Sequence, residues 1–332
     1  MPFTKNFRTP AQLSGVARAA FRAELEKHVT NGLLPLKVNF ALTFDFGVGQ
    51  SALPPAARYR SFNTESDVNV TSTSERRQGK LPPISIRLHV DEFQQLEMMG
   101  QTDAIGAEFE RYATLNAQSI AARVVLAQAQ AITDGAVTIT DRGMSFAVDF
   151  ARNAANTANA ATAWSTVATA KPLTDLEALR AAINRSLDRI IISQQAMTYL
   201  QTNVDLIKIA LQRGTDLPSR ISVEDVRSVF RDYGLGEIEI NTDKVINNAG
   251  AEIPLFAADK VVIISGGAVG RTDLGVTAES TRGDVGISRS EAPGVFAGAM
   301  ESDDPSGYNV LASAIVLPVV TSANNTAVLD AF

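Results

Sequence analysis

Thr102-Asp-Ala-Ile-Gly-Ala-Glu-Phe-Glu-Arg-Tyr-Ala-Thr-Leu-Asn-Ala-Gln-Ser-Ile-Ala-Ala-Arg-Val-Val-Leu-Ala-Gln-Ala-Gln-Ala-Ile-Thr-Asp-Gly135 is the stretch that decides the fold. Ile105, Phe109, Ala113, Ala117, Ile120, Val124, Ala127 and Ala131 recur at steps of three or four, so they share one face of a helix. Thr102 or Asp103 is placed to cap its start, and Gly135 stands where a left-handed C-cap belongs. At about 1.5 Å per residue the helix is roughly 50 Å long, several times a typical globular helix. Val124 to Thr133 carries no charge, and Ala127, Ala129 and Ala131 leave room for close approach of another backbone. A coiled coil needs bulky residues at its seam, which alanines do not supply. The pattern predicts a single long helix laid across a sheet.

The composition narrows the function. The chain has 332 residues, 45% hydrophobic and 20% charged, enough for two domains or one divided one. It has no cysteine, which removes disulfides, thiolate metal sites and a cysteine nucleophile. His28 and His89 are too few for a histidine-rich metal site. The net charge of −6 is the wrong sign for a protein that grips phosphates. No apolar run of about 18 residues occurs, so no helical membrane span is expected, and the N-terminus lacks an apolar signal core.

Before the long helix, residues 10–27 form an amphipathic helix with Leu13, Val16, Ala20, Phe21 and Leu25 on one side. Two readings of it stand, an arm packing on a neighbouring molecule and an ordinary first helix. Leu33 to Phe46 reads as extended. Residues 47–83 are punctuated by Gly47, Gly49, Pro54, Pro55, Gly79, Pro82 and Pro83, and too little of this piece is apolar to cover a core. It reads as a long two-stranded hairpin whose arms of about fifteen residues span roughly 50 Å. Such a hairpin is not stable alone in water and needs another surface. Ile84, Ile86, Leu88 and Val90 then alternate as a half-buried strand, with His89 on its polar face.

After Gly135, Val137–Ile139 and Phe146–Phe150 read as a hairpin turning at Asp141-Arg142-Gly143. Residues 151–170 form a low-complexity connector anchored by Trp164. From Pro172 the texture changes. Helices are expected over Leu173–Ile183, Gln194–Arg213 (one or two) and Ser222–Tyr233, the last with Ser222 and Asp225 as a capping pair. Strands are expected at Arg189–Ser193, Glu237–Ile240 and Lys260–Ile264. This alternation indicates an α/β or α+β unit of about 120 residues. Gly294–Met300, Val310–Val320 and Val328–Leu329 close the chain as strands and are assigned to the long helix's sheet. The fold class is α+β, with the second unit inserted into the first.

Catalytic motifs are not found. Gly47-Val48-Gly49 lacks the third glycine of a dinucleotide turn. Gly266-Gly267 with Gly270 lacks the Lys-Ser/Thr of a phosphate loop. Glu301, Asp303 and Asp304 lack calcium-loop spacing. There is no Gly-x-Ser-x-Gly elbow and no triad setting for either histidine. No catalytic residue, cofactor or metal is assigned. An extended hairpin needing a foreign surface, a rigid helix and an acidic balance instead suit a shell-building subunit.

In this order of elements the chain resembles the lambda-type major capsid proteins of tailed bacteriophages, with the Hong Kong 97 fold. The features that carry the resemblance are the helix ending Thr133-Asp134-Gly135, Val148-Asp149-Phe150, Trp164 ahead of Pro172-Leu173-Thr174-Asp175-Leu176, and Arg189-Ile190-Ile191-Ile192-Ser193. Gly270-Arg271-Thr272-Asp273-Leu274-Gly275-Val276-Thr277-Ala278-Glu279, Pro293-Gly294 and Asp304-Pro305 complete them. The resemblance implies an N-arm (1–46), an extended loop (47–90), a peripheral domain with the spine helix (91–172), an axial domain (173–290), and C-terminal strands returning to the peripheral domain (291–332). It implies pentamers and hexamers that close into an icosahedral shell around double-stranded DNA, found in the virion head and assembled in the host cytoplasm. A separate scaffolding protein, the portal and a decoration protein are the implied candidate partners, and no membrane is involved. Arg58, Arg60, Arg76, Arg77 and Lys80 are the candidate inter-subunit contacts, expected to meet acidic patches on adjacent copies. A solvated charged loop is the plainer alternative. Lys80 matches no cross-linking position. An encapsulin-type compartment and, from another class, a two-domain enzyme are the rival readings.

Overall fold

A computed structural model of the chain describes residues 3–40, 42–48, 59, 62, 65, 75–101, 103–141, 143–247, 250–303 and 305–332. The decisive stretch is one helix, α4 (Ala104–Asp134), about 46 Å long. Of the eight residues assigned to its apolar face, all but Ile105 are buried. Gly135 closes it in the left-handed region at φ 66°, as expected. Arg152 completes that end by donating from Nη1 to Ile132 O at 2.9 Å and from Nη2 to Thr133 O at 2.7 Å. A guanidinium there also opposes the negative end of the helix dipole. The start differs from expectation. Asp103 occupies the N-cap position at φ 67° but makes no side-chain cap, because its carboxylate is paired with Arg8.

The helix lies on a sheet ordered β1 (Leu36–Val38), β13 (Gly270–Leu274), β15 (Ser306–Val320) and β14 (Phe296–Asp303), with β4 (Pro83–Val90) also pairing β15. β15 is 15 residues long and pairs with three strands. Its first part runs between β14 and β4, and its last residues pair with β13. Asn116, buried in the middle of α4, donates to Val310 O at 2.8 Å and ties helix to sheet.

α1 (Pro10–Glu26) packs on α4 and β14 of its own chain, so the N-terminal helix is seated on its own body. Leu13, Phe21 and Leu25 are buried as expected, joined by Ser14 and Ala17, while Val16 and Ala20 stay half-buried. α2 (Val29–Leu33) follows, and beneath it Gln128 of α4 joins three elements. It accepts from Thr30 Oγ1 at 2.8 Å and donates to Leu34 O at 3.3 Å and to Thr272 Oγ1 at 2.8 Å. The hairpin after α4 forms as expected, β5 (Ala136–Asp141) against β6 (Met144–Asp149).

The second unit holds a sheet ordered β7 (Thr157–Asn159), β16 (Thr326–Asp330), β12 (Lys260–Ile264), β8 (Arg189–Ser193) and β9 (Glu237–Asn241). Helices α5 (Pro172–Ile183), α6 (Gln194–Thr202), α7 (Val204–Leu211) and α8 (Val223–Asp232) belong to it. The Ser222–Asp225 capping box is present, and Val226, Val229 and Phe230 face inward. A small hairpin, β10 (Lys244–Ile246) and β11 (Glu252–Pro254), lies between β9 and β12 in sequence, with Val245 buried. Trp164 is buried and donates from Nε1 to Asp175 Oδ2 at 3.1 Å.

Three strand placements correct the sequence reading. Val328–Leu329 sits not on the long helix's sheet but in the second sheet, because β12 is apolar on both faces and takes β16 on the edge opposite β8. Gly270–Leu274 crosses the other way and completes the first sheet. The connector 151–170 is not all loop, since β7 adds a parallel edge strand beside β16.

Candidate assembly surface

Of the hairpin expected over 47–83, the described part is a stem, β2 (Thr43–Val48) paired antiparallel with β3 (Glu75–Lys80), which starts four residues earlier than expected. Between them, the stretch holding Val68 and Val70 falls outside the described residues. In the stem register Phe46 lies opposite Arg77 and Phe44 opposite Gly79, so these four share one face, while Thr43, Gly47, Arg76 and Lys80 share the other. The first face is bolted to the body. Phe44 and Phe46 are buried, with ring centroids 6.4 Å from Phe146 and 5.3 Å from Phe150 respectively. Gly79 is required there, because a Cβ would stand 2.7 Å from the Phe44 ring. Arg271 adds a polar clamp, donating to Asp45 O at 3.1 Å while its Nε lies 2.9 Å from the Asp273 carboxylate.

The geometry divides the candidate contacts. Arg77 donates to Asp149 O at 2.9 Å and lies 3.6 Å from the carboxylates of Asp149 and Glu75, so its charge is used within the chain. Arg76 and Lys80 are exposed and have no side-chain partner among the described residues. Arg58 and Arg60 lie outside the described residues.

The chain's N-terminus is latched to the same body. Phe3 forms a β-bridge to Met300, and Phe7 packs edge-on against Phe109 at 5.8 Å and Tyr308 at 5.9 Å. Arg8 pairs with Asp103 and Glu110. These hydrogen bonds push the Arg8 pKa up and hold the Asp103 carboxyl below its usual range.

Two surface features had not been singled out in the sequence. α3 (Glu92–Met98) presents large apolar residues outward, and a recess beside α1 holds Arg18 and Arg22. The first was detectable as Phe93, Leu96 and Met99 recurring at threes beside Glu92 and Glu97. The second depends on β14 and β1 meeting α1, which no local pattern shows. The histidines pair with polar neighbours, His28 Nδ1 with Asp243 Oδ2 at 2.9 Å and His89 Nδ1 with Asn309 Oδ1 at 3.1 Å. Among the described residues no cluster of acids and histidines is arranged to hold a metal, and no helix is long and apolar enough to cross a membrane.

A spine helix across a sheet, a second α+β unit and a hairpin bolted at its base make up a fold of the Hong Kong 97 type. The chain belongs to the phage major capsid protein E family, whose model matches residues 50–330. Its fold is similar to that of a capsid protein described for a prophage of E. coli CFT073, at TM-score 0.58 and 14% identity, covering 95% of this chain and 99% of that one. A phage-related protein of Bordetella bronchiseptica RB50 is similar at TM-score 0.58 and 14% identity, covering 97% of this chain and 96% of that one. No curated protein sequence matches. The family is one of structural capsid proteins of bacteriophages.

Proposed function

We propose that the protein is the repeating unit of an icosahedral phage head, assembling as pentamers and hexamers into a shell around double-stranded DNA. The observation that carries this, within a capsid family, is the two-faced hairpin stem. One face is fixed to the body by Phe44, Phe46 and Arg77, while the other presents Arg76 and Lys80 without side-chain partners among the described residues. A stem held rigidly at its base aims its cations at something outside the subunit. An acidic subunit, in turn, lines packaged DNA without clinging to it. The N-terminal segment, extended loop, peripheral and axial units divide the labour, and much of each subunit's order is conditional on assembly. A separate scaffolding protein directs closure in the host cytoplasm, with a portal at one vertex and a decoration protein as an outer partner.

The test is size-exclusion chromatography with negative-stain microscopy on the chain expressed alone and with its neighbouring genes. Capsomers, tubes or closed shells support the reading, and a persistent monomer with the scaffold gene present overturns it. Charge reversal then separates the stem's two faces. Arg76→Glu is expected to lower shell yield and leave the subunit's unfolding midpoint unchanged, whereas Arg77→Glu lowers both. Intact, heat-resistant shells from the Arg76→Glu, Arg77→Glu double variant would remove these residues from the interface.

A further inference from the structure

Helix α3 is built inside out. Phe93, Leu96 and Met99 are 73%, 59% and 74% exposed, while Gln94 and Gln95 are half-buried. At 100° per residue, positions 92, 93, 96, 97 and 99 fall on one side and 94, 95 and 98 on the other. The orientation is fixed. Asp91 and Gln94 form a capping box, and the Gln94 carboxamide also accepts from Tyr112 Oη at 3.3 Å. Scattered exposed apolar residues are ordinary, but a contiguous apolar side on one short helix marks a contact. Glu92 and Glu97 stand on that side, exposed, with no ion-pair partner among the described residues.

A complementary surface lies elsewhere on the subunit. Arg18 and Arg22 of α1, with Val38, Leu274, Gly294 and one carboxylate, that of Glu291, line a recess of about 270 Å³. Arg18 Nε donates to Val295 O at 2.9 Å, but its Nη2 is buried with no partner among the described residues. Burial lowers the Arg18 pKa, opposed by Glu291, and nearby Arg22 lowers it further. A buried guanidinium nitrogen without an acceptor is costly and calls for one. Arg22 is exposed and unpaired among the described residues. Val38 lines the recess, and Phe40 and Leu42 follow it in sequence; the three are 45%, 59% and 53% exposed.

We propose that the outward side of α3 in one copy docks on the Arg18–Arg22 recess and the exposed apolar residues Val38, Phe40 and Leu42 in the next. Phe93, Leu96 and Met99 meet Val38, Phe40 and Leu42, and a carboxylate of Glu92 or Glu97 supplies the missing acceptor to the guanidinium pair. α3 packs on α4 and β15, whereas the recess is formed by α1, β1 and the approach to β14. The two surfaces are therefore different patches, and the contact is head-to-tail, the kind that closes a ring or continues around a shell. The occupant is a second copy because this chain itself carries the matching acids and apolar residues. The inference rests on the shell reading and names one of its contacts.

The absence of cysteine makes the test clean. The Arg22→Cys, Glu97→Cys double variant, assembled with its neighbouring genes and treated with a short bis-maleimide, is expected to give a covalent ladder running past the dimer, while each single variant gives none. Intact shells without a ladder overturn the proposal and leave the shell reading standing. Charge variants give a second reading. Arg22→Glu alone, and Glu92→Arg with Glu97→Arg, are each expected to cut particle yield about tenfold, and the three together to restore it to within about threefold of the parent. Parental yield from either half, or no recovery in the triple variant with its unfolding midpoint unchanged, overturns the contact. If the parent chain forms no shell with its scaffold, the proposed function itself fails.

Discussion

Gln128 offers the sharpest test of how the long helix is held. It is fully buried in an otherwise uncharged, alanine-rich part of α4. Replacing it with leucine keeps the volume and removes three hydrogen bonds. Leu34 O keeps its bond from Thr272 Oγ1 at 2.8 Å, so that carbonyl is not orphaned. The Thr30 hydroxyl is, since it is fully buried and loses its acceptor. An orphaned buried donor costs about 1–3 kcal/mol and each lost bond about 1 kcal/mol, so Gln128→Leu is expected to cost about 2–4 kcal/mol. Against a typical stability of about 5–15 kcal/mol, that is a large fraction. Adding Thr30→Val removes the orphan, so the double variant should recover about 1–2 kcal/mol relative to additivity. The assay is urea unfolding followed by far-ultraviolet circular dichroism, below the concentration at which shells form. A Gln128→Leu midpoint equal to the parent's, or strictly additive effects in the double variant, would refute the claim that this cluster joins α2, α4 and β13.

Three further outcomes are expected. Gly135→Val places a β-branched residue at φ 66°, with its Cβ about 3.0 Å from Arg152 Cβ, and should cost at least about 1–2 kcal/mol, with Gly135→Asn milder; equal melting temperatures for both variants and parent would contradict this. Trp164→Phe removes the bond to Asp175, which is buried and keeps only the 3.2 Å bond from Ala161 N, and should cost about 1–3 kcal/mol by circular dichroism. Arg8 depresses the Asp103 pKa in the folded state. The pair's contribution is therefore present above the unfolded value near about 4 and is lost as pH falls through the lower folded value. Arg8→Ala should flatten that acid limb of the stability–pH curve and leave the curve's shape near neutral pH unchanged.

Much of the fold was legible because local chemistry fixes it. The steps of three and four from Ile105 to Ala131 require one buried helix face, and Gly135 supplies the left-handed residue that ends it. Ser222 with Asp225, the alternation from Ile84 to Val90, and the apolar run at Lys260–Ile264 each specify their element through hydrogen bonding or burial over a few residues. The candidate contacts were less legible. Arg76 and Arg77 are adjacent and chemically identical, yet the pleat turns one toward Asp149 and the other outward. Gln128 looks like one polar residue among many until α2 and β13 are brought beside it.

The sequence by itself determined the long helix and most of the longer elements, the acidic balance and the family resemblance, because helical period, strand alternation and caps are properties of neighbours along the chain. Tertiary structure alone decided which sheet each late strand enters, sending β13 to the first and β16 to the second, since an apolar strand carries no label for its partner. It also decided that α3 shows its apolar side to solvent while Arg18 Nη2 is buried without an acceptor among the described residues. A helical pattern reveals that a face is apolar. Only the packing of everything else shows whether the chain has kept that face for itself or left it for another copy.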